Sequence, residues 1–312
     1  MKLTQIIEEK YETVKEKSIT ELKRNTLILD KLCELFIDLK ERFKTDPLES
    51  KRSIENHIRK ASFSYEPWDI TNFCFALPAF EKWKNFESYT GYFLSSLINV
   101  HQEKTENEQE YLLVTKHLQK KIAYLGYENK SKLIIDGSVD SYFGKCNEGY
   151  VLINGDANLY CGIYMNDGEI RLKNADLYLG YFMNSGNIIC EGNASSYVGY
   201  DMSNGGIIIK GNCGDDLGYD MRNGAIHIQG NAGKGIGAGM EGGFIHIEGE
   251  YESLKENIRG GIVFHKGKQI VPKKYLRESQ EASEKKLQKM RENDEKNKIN
   301  SEYLKYFSSR DR

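Results

Sequence analysis

Two histidines have the spacing that comes nearest to chemistry in this chain. His227 and His246 stand 19 residues apart inside matching phrases, AIHIQGN and FIHIEGE. If those phrases stack as neighbouring strands, the imidazoles lie about 4.8 Å apart, close enough to share one ion. Zinc takes three or four N, O or S ligands, so a pair alone does not complete a site. His265 follows 19 residues later but falls one residue out of register with the surrounding glycines. The reading is therefore a surface ladder of imidazoles, with His227 and His246 as the candidate metal ligands. Asp201 and Asp220 repeat in the same way, and solvated corner acids account for them. Cys33, Cys74, Cys146, Cys161, Cys190 and Cys213 are far apart with no CxxC, the pattern of buried free thiols rather than of a disulfide or zinc framework.

Other catalytic signatures do not occur. No GxSxG, P-loop or HExxH is present, and the GxGxxG-like strings lack the strand-to-helix context of a dinucleotide site. No cofactor is expected. What recurs instead is aromatic and aliphatic. Tyr142, Tyr160, Tyr178 and Tyr197, with Tyr124 before them, form one outward column; Tyr181, Tyr200 and Tyr219 form another. Stacked rings stiffen a repeat, each pair adding about 0.5 to 1.5 kcal/mol. Ile189 and Ile208 also take outward positions on adjacent copies, and two stacked aliphatics call for a cover. These six residues, Tyr142, Tyr160, Tyr178, Tyr197, Ile189 and Ile208, are the candidate interaction surface.

The elements that must position these residues are written as a repeat. YVGYDMSNGGIIIKGN is followed by DLGYDMRNGAIHIQGN and GIGAGMEGGFIHIEGE, and the first glycine recurs at Gly144, Gly162, Gly180, Gly199, Gly218 and Gly237. A fixed period of 18 or 19 residues with one strand-like run per copy means a solenoid. Counting from the second glycine, the +2 positions (Val151, Ile170, Ile188, Ile207, Ile226, Ile245) and the +4 positions (Ile153, Leu172, Cys190, Ile209, Ile228, Ile247) share the inner face of a strand. Met165, Met183, Met202, Met221 and Met240 read as a further interior column. The +5 residues, Glu248 among them, face water. Glycine about every sixth residue marks corners where a Cβ at positive φ is costly.

Three corners per 18 residues also suit a left-handed hexapeptide helix. That fold needs an aliphatic residue at every corner, whereas Asp167, Ser185, Asn204, Glu191 and Lys210 occupy this place here. The strings GYDMSNGGIIIKGN and GYDMRNGAIHIQGNAGKGIGAGMEGGFIHIEG instead resemble the GXGXG domain, the right-handed β-helix found at the C-terminal end of the glutamate synthase large subunit and in one of the subunits of formylmethanofuran dehydrogenase. The resemblance implies an architecture that carries no catalytic residues in those families. The N-terminal cysteine nucleophile and the iron-sulfur cysteine cluster of glutamate synthase have no counterpart here, since the chain begins Met1-Lys2-Leu3.

The fold class expected is α+β and multidomain: a helical domain over 1–121, a right-handed parallel β-helix over 122–271, and a charged C-terminal helix over 272–312. Leu29, Leu32, Phe36, Leu39 and Phe43 recur at three and four, as do Tyr111, Val114, Leu118 and Ile122, and each set predicts a helix. Ser53 to Arg59 predicts another. Pro67 and Pro78 bracket an aromatic connection. The segment from Ile122 to Gly137 imitates a terminal coil whose lower face meets the helices.

Net charge is -2 and no apolar run is long enough for a bilayer, so neither membrane nor nucleic acid is an expected partner. The last 41 residues carry 12 Lys and Arg against 8 Asp and Glu, too weak a bias for nucleic acid. A charge-broken N-terminus is no signal peptide, and a cytoplasmic location is expected. The functional expectation is a non-catalytic scaffold or interaction subunit with a protein partner or self-association. The alternatives are an accessory subunit of a glutamate-synthase-like oxidoreductase and a metal-dependent enzyme built on the histidine column.

Overall fold

The computed structural model describes residues 19–41, 43, 47–105, 107 and 109–271. The C-terminal helix expected over 272–312 lies outside these residues. Ten strands form one sheet in chain order: β1 (Glu110–Val114), β2 (Lys132–Asp136), β3 (Tyr150–Ile153), β4 (Glu169–Leu172), β5 (Asn187–Cys190), β6 (Gly206–Ile209), β7 (Ala225–Ile228), β8 (Phe244–Ile247), β9 (Ile262–His265) and β10 (Lys268–Val271). From β1 to β9 every pairing is parallel and in phase, as in Ile188 opposite Ile207 opposite Ile226. The chain thus makes a β-solenoid of about eight turns. A second seam of parallel bridges runs up another side through Ala157, Ala175, Ala194, Cys213 and Ala232.

The interior is filled as the spacing requires. All the +2 and +4 side chains and all five methionines of the column are buried. In the first two turns the methionine place is taken by Asn129 and Asn147, also buried. Burial of these amides is compensated: Asn129 Nδ2 donates to Asn147 Oδ1 at 3.0 Å, and Asn147 Nδ2 to Gly149 O at 2.7 Å.

At the corner of the first glycine each coil holds three left-handed residues at alternate positions, for example Tyr178, Gly180 and Phe182 with φ of 65°, 69° and 53°. Alternation sends the amides in opposite directions. Gly180 N donates back to Cys161 O, while Tyr178 N and Phe182 N donate forward to Ser196 O and Tyr200 O. The middle residue faces inward, and a Cβ on Gly180 would sit 2.6 Å from Ile207 Cδ1. Only glycine fits there. The outer two point away from the core, so tyrosine, phenylalanine or aspartate fits, at the ordinary cost of an L-residue in this region.

Four α-helices are described ahead of the coil: α1 (Ile19–Lys40), α2 (Pro47–Lys60), α3 (Pro67–Cys74) and α4 (Phe86–Glu103). Leu32, Phe36 and Leu39 bury the inner stripe of α1, and the Phe36 ring lies 4.7 to 5.4 Å from those of Phe73, Phe80, Trp83, Tyr89 and Phe93. The aromatic connection is itself partly helical, since Pro67 opens α3 at a first-turn position where its missing N–H costs nothing. Helix α4 closes the lower end of the coil. Gly91, Ser95 and Asn99, four apart on one face, meet residues 123–127: a Cβ on Gly91 would fall on Ala123 O, Ser95 Oγ donates to Tyr124 O, and Asn99 Nδ2 to Tyr127 O.

Two expectations are corrected. The stripe Tyr111, Val114, Leu118, Ile122 is no helix: Tyr111 and Val114 lie in β1, which pairs with β2, and turns follow. A period of three or four in so short a run also fits a strand whose alternate residues, Tyr111 and Leu113, are buried. Gly267 departs from the expectation that glycine at the repeat's spacing marks a solenoid corner. Lys266 and Gly267, with φ of 48° and 74°, form a tight turn that brings β10 back antiparallel on β9, the hairpin geometry that favours positive φ at both central residues. Among the described residues no helix is long and apolar enough to cross a membrane.

Candidate functional site

Strands β7 and β8 hold His227 directly opposite His246. Their rings are stacked at 4.9 Å with planes 8° apart. His227 is buried and its Nε2 lies 2.7 Å from Glu248 Oε1. Glu248 stands one residue past the end of β8 and two after His246, and from there it reaches back across the spacing to the preceding coil. Ligand atoms of His227, His246 and Glu248 all lie within 4.8 Å of one another, and among the described residues this is the one place where three such groups converge. His265 stands apart as expected: it pairs in register with Ile247, while Phe264 faces His246. Its Nε2 approaches Gly249 O at 3.0 Å. Glu248 escapes the sequence reading because its +5 position marks it only as water-facing.

The same outward column runs through Leu152, Arg171, Ile189, Ile208 and His227, all buried. Ile189 and Ile208 are each 3% exposed and form a cluster of their own, separate from the solenoid core. Arg171, only 1% exposed, was not foreseen. Its Nε donates to Glu169 Oε1, and Lys210 pairs with Glu191 at 2.8 Å beside the isoleucines.

Tyrosines do stack. Tyr92 of α4 lies 4.8 Å from Tyr124, and the series continues through Tyr142, Tyr160, Tyr178 and Tyr197 at 4.8 to 5.0 Å with planes 6° to 12° apart. Tyr181 and Tyr200 meet edge to face at 5.0 Å, and Tyr200 stacks on Tyr219 at 4.8 Å. Ring faces within the series are occupied by neighbouring rings, and Tyr142, Tyr160, Tyr178 and Tyr197 remain partly exposed. The tyrosines sit at the glycine corner and the isoleucines on the sheet, so the six candidate surface residues form two surfaces rather than one.

Remaining groups are paired or inert. Arg222 Nη2 meets Asp201 at 2.8 Å; burial nonetheless raises the Asp201 carboxyl, with Arg222 opposing the shift and Asp220 and Glu241 adding to it. Burial pushes Cys74, Cys190 and Cys213 to about 12 and raises Cys161 further, the opposite of what a nucleophilic thiol needs. A cleft of about 510 Å³ between α2, α4 and the first coils is lined by Lys51, Glu55, Glu103 and Glu128 among others. Lys51 is 3% exposed and pairs with both Glu55 and Glu128, so this cation of the cleft already bridges helix and coil.

A family model described as the GXGXG motif matches residues 99–309. No curated protein matches the chain.

Proposed function

Because the chain belongs to the GXGXG motif family, we propose that it is a non-catalytic scaffold. The observation that carries this reading is the filled interior: the columns of Met165 to Met240 and of the paired aliphatics leave side chains, not a chamber, inside the coil. The tyrosine corner of Tyr142, Tyr160, Tyr178 and Tyr197 is the surface assigned to a protein partner, since rigid, partly exposed rings present contact area at little entropic cost. The coil is taken as right-handed, the hand that parallel crossovers adopt. Its parts are a helical domain over 1–121 that lends β1 to the sheet, the coil over 122–271, and a C-terminal segment over 272–312.

Ile189 and Ile208 are already buried in a single chain, so their cover belongs to this chain. The described helices pack chiefly on β1 and on one another. We assign the cover to this chain rather than to a partner. A double variant, Ile189→Ser with Ile208→Ser, tests this. It should keep the circular dichroism of the coil, melt lower and bind a hydrophobic dye. A melt and dye response equal to the unmodified chain's contradicts the assignment.

Membership of the family favours one second reading, an accessory subunit beside a glutamate-synthase-like oxidoreductase. A stoichiometric complex with such an enzyme, reconstituted from purified parts, distinguishes it.

A further inference from the structure

We propose that His227, His246 and Glu248 form a binding site for a divalent transition metal, with zinc the ion best matched. Two imidazoles and one carboxylate are the ligand set of open zinc sites, in which a fourth position is left for water or an incoming group. Here the backbone supplies the alignment. The in-register pairing of His227 with His246 fixes their Cα atoms one strand spacing apart, and Glu248, one residue past the end of β8, is already 2.7 Å from His227 Nε2.

Tetrahedral zinc with bonds of about 2.0 to 2.1 Å holds its ligand atoms about 3.4 Å apart. The three candidate atoms lie within 4.8 Å of one another. Closing that difference takes about an ångström of side-chain movement, by tilting two rings that are now parallel. The carboxylate must turn from His227 toward the ion. No strand has to shift.

The surroundings favour the ion as well. Ile208 precedes His227 in the column, and Phe264 follows His246, with its ring edge-on at 6.2 Å. Apolar side chains above and below strengthen the attraction between a cation and Glu248 by lowering the local dielectric. This site is independent of any protein contact at the tyrosine corner.

The test uses the full chain, stripped with chelator and titrated calorimetrically with zinc, then with cobalt(II) as a spectroscopic probe. One zinc per chain is expected, with cobalt giving the intense visible bands of a tetrahedral site. Affinity should fall in acid, because protons compete for the ligand nitrogens. Glu248→Gln and His246→Ala, both at positions that reach solvent, should each weaken zinc by more than about tenfold, beyond the loss of a mere orienting partner. His227→Asn serves as a third variant, with its fold checked by circular dichroism. Absence of stoichiometric zinc, octahedral cobalt spectra, or affinity unchanged in Glu248→Gln and His246→Ala overturns the proposal.

Discussion

The rings of Tyr178 and Tyr197 lie 4.8 Å apart and 10° from parallel, and both residues occupy the left-handed region, at φ of 65° and 64°. The backbone conformation is unfavourable for an L-residue by about 1 to 2 kcal/mol. It persists because the same conformation sends the Tyr178 amide to Ser196 O and the Tyr197 amide to Asp215 O on the next coil, and because the rings stack.

Replacing Tyr178 separates these contributions. Tyr178→Val loses both stacking contacts and places a β-branched residue at positive φ, and should destabilise by about 2 to 3 kcal/mol. Tyr178→Asn loses the stacks but tolerates the conformation, and should cost about 1 kcal/mol. Denaturant unfolding of the two variants, compared at equal slope, measures the difference. Equal losses would mean that the left-handed corner contributes nothing.

Glycine is needed for a different reason at the second corner. Gly205 has φ of 99°, and a Cβ there would meet Gly186 O at 2.7 Å and Met183 Cε at 2.8 Å. Gly205→Ala should therefore destabilise by about 2 to 4 kcal/mol, strain and overpacking together. Gly267, with φ of 74° and nothing within 4 Å, carries strain alone, and Gly267→Ala should cost about 1 kcal/mol. Thermal melts of the pair give the comparison.

His101 gives the helical part a pH dependence. Burial holds this imidazole below its ordinary value, Glu66 opposing the shift and Lys104 adding to it, and Nδ1 lies 2.8 Å from the Tyr111 hydroxyl of β1. A histidine depressed in the folded state contributes stability above its unfolded value of about 6.5, and that contribution is lost as pH falls through this value toward the folded one. Urea midpoints at about pH 7.5 and 5.5 should differ less in His101→Gln than in the unmodified chain. An unchanged difference contradicts this role.

Much of this architecture is legible in the sequence because a solenoid writes its inside and outside into fixed positions. Ile207 and Ile209 are buried as their period requires, and Met202 stacks between Met183 and Met221 with the coils. Three features escape that logic. Tyr178 at positive φ is invisible because propensity argues for glycine there, and only the alternating amide directions explain it. β1 is masked because five residues fit either a strand or a helix stripe. Glu248 is missed as a neighbour of His227 because the contact crosses coils, joining a residue of one copy to a residue of the preceding copy through side-chain length.

The scaffold account leaves the tyrosine corner to a partner and takes the isoleucine face of the coil as covered by the chain itself, and thiol labelling at position 208 tests that division most directly. Ile208→Cys is made in the full chain, and labelling by a maleimide is followed by peptide mass spectrometry over a range of protein concentrations. Cys190, interior to the coil, reports whether the coil is intact. The account predicts that position 208 is protected at every protein concentration, with Cys190 protected as well. Labelling of position 208 while Cys190 stays protected, or protection that disappears on dilution, would contradict it.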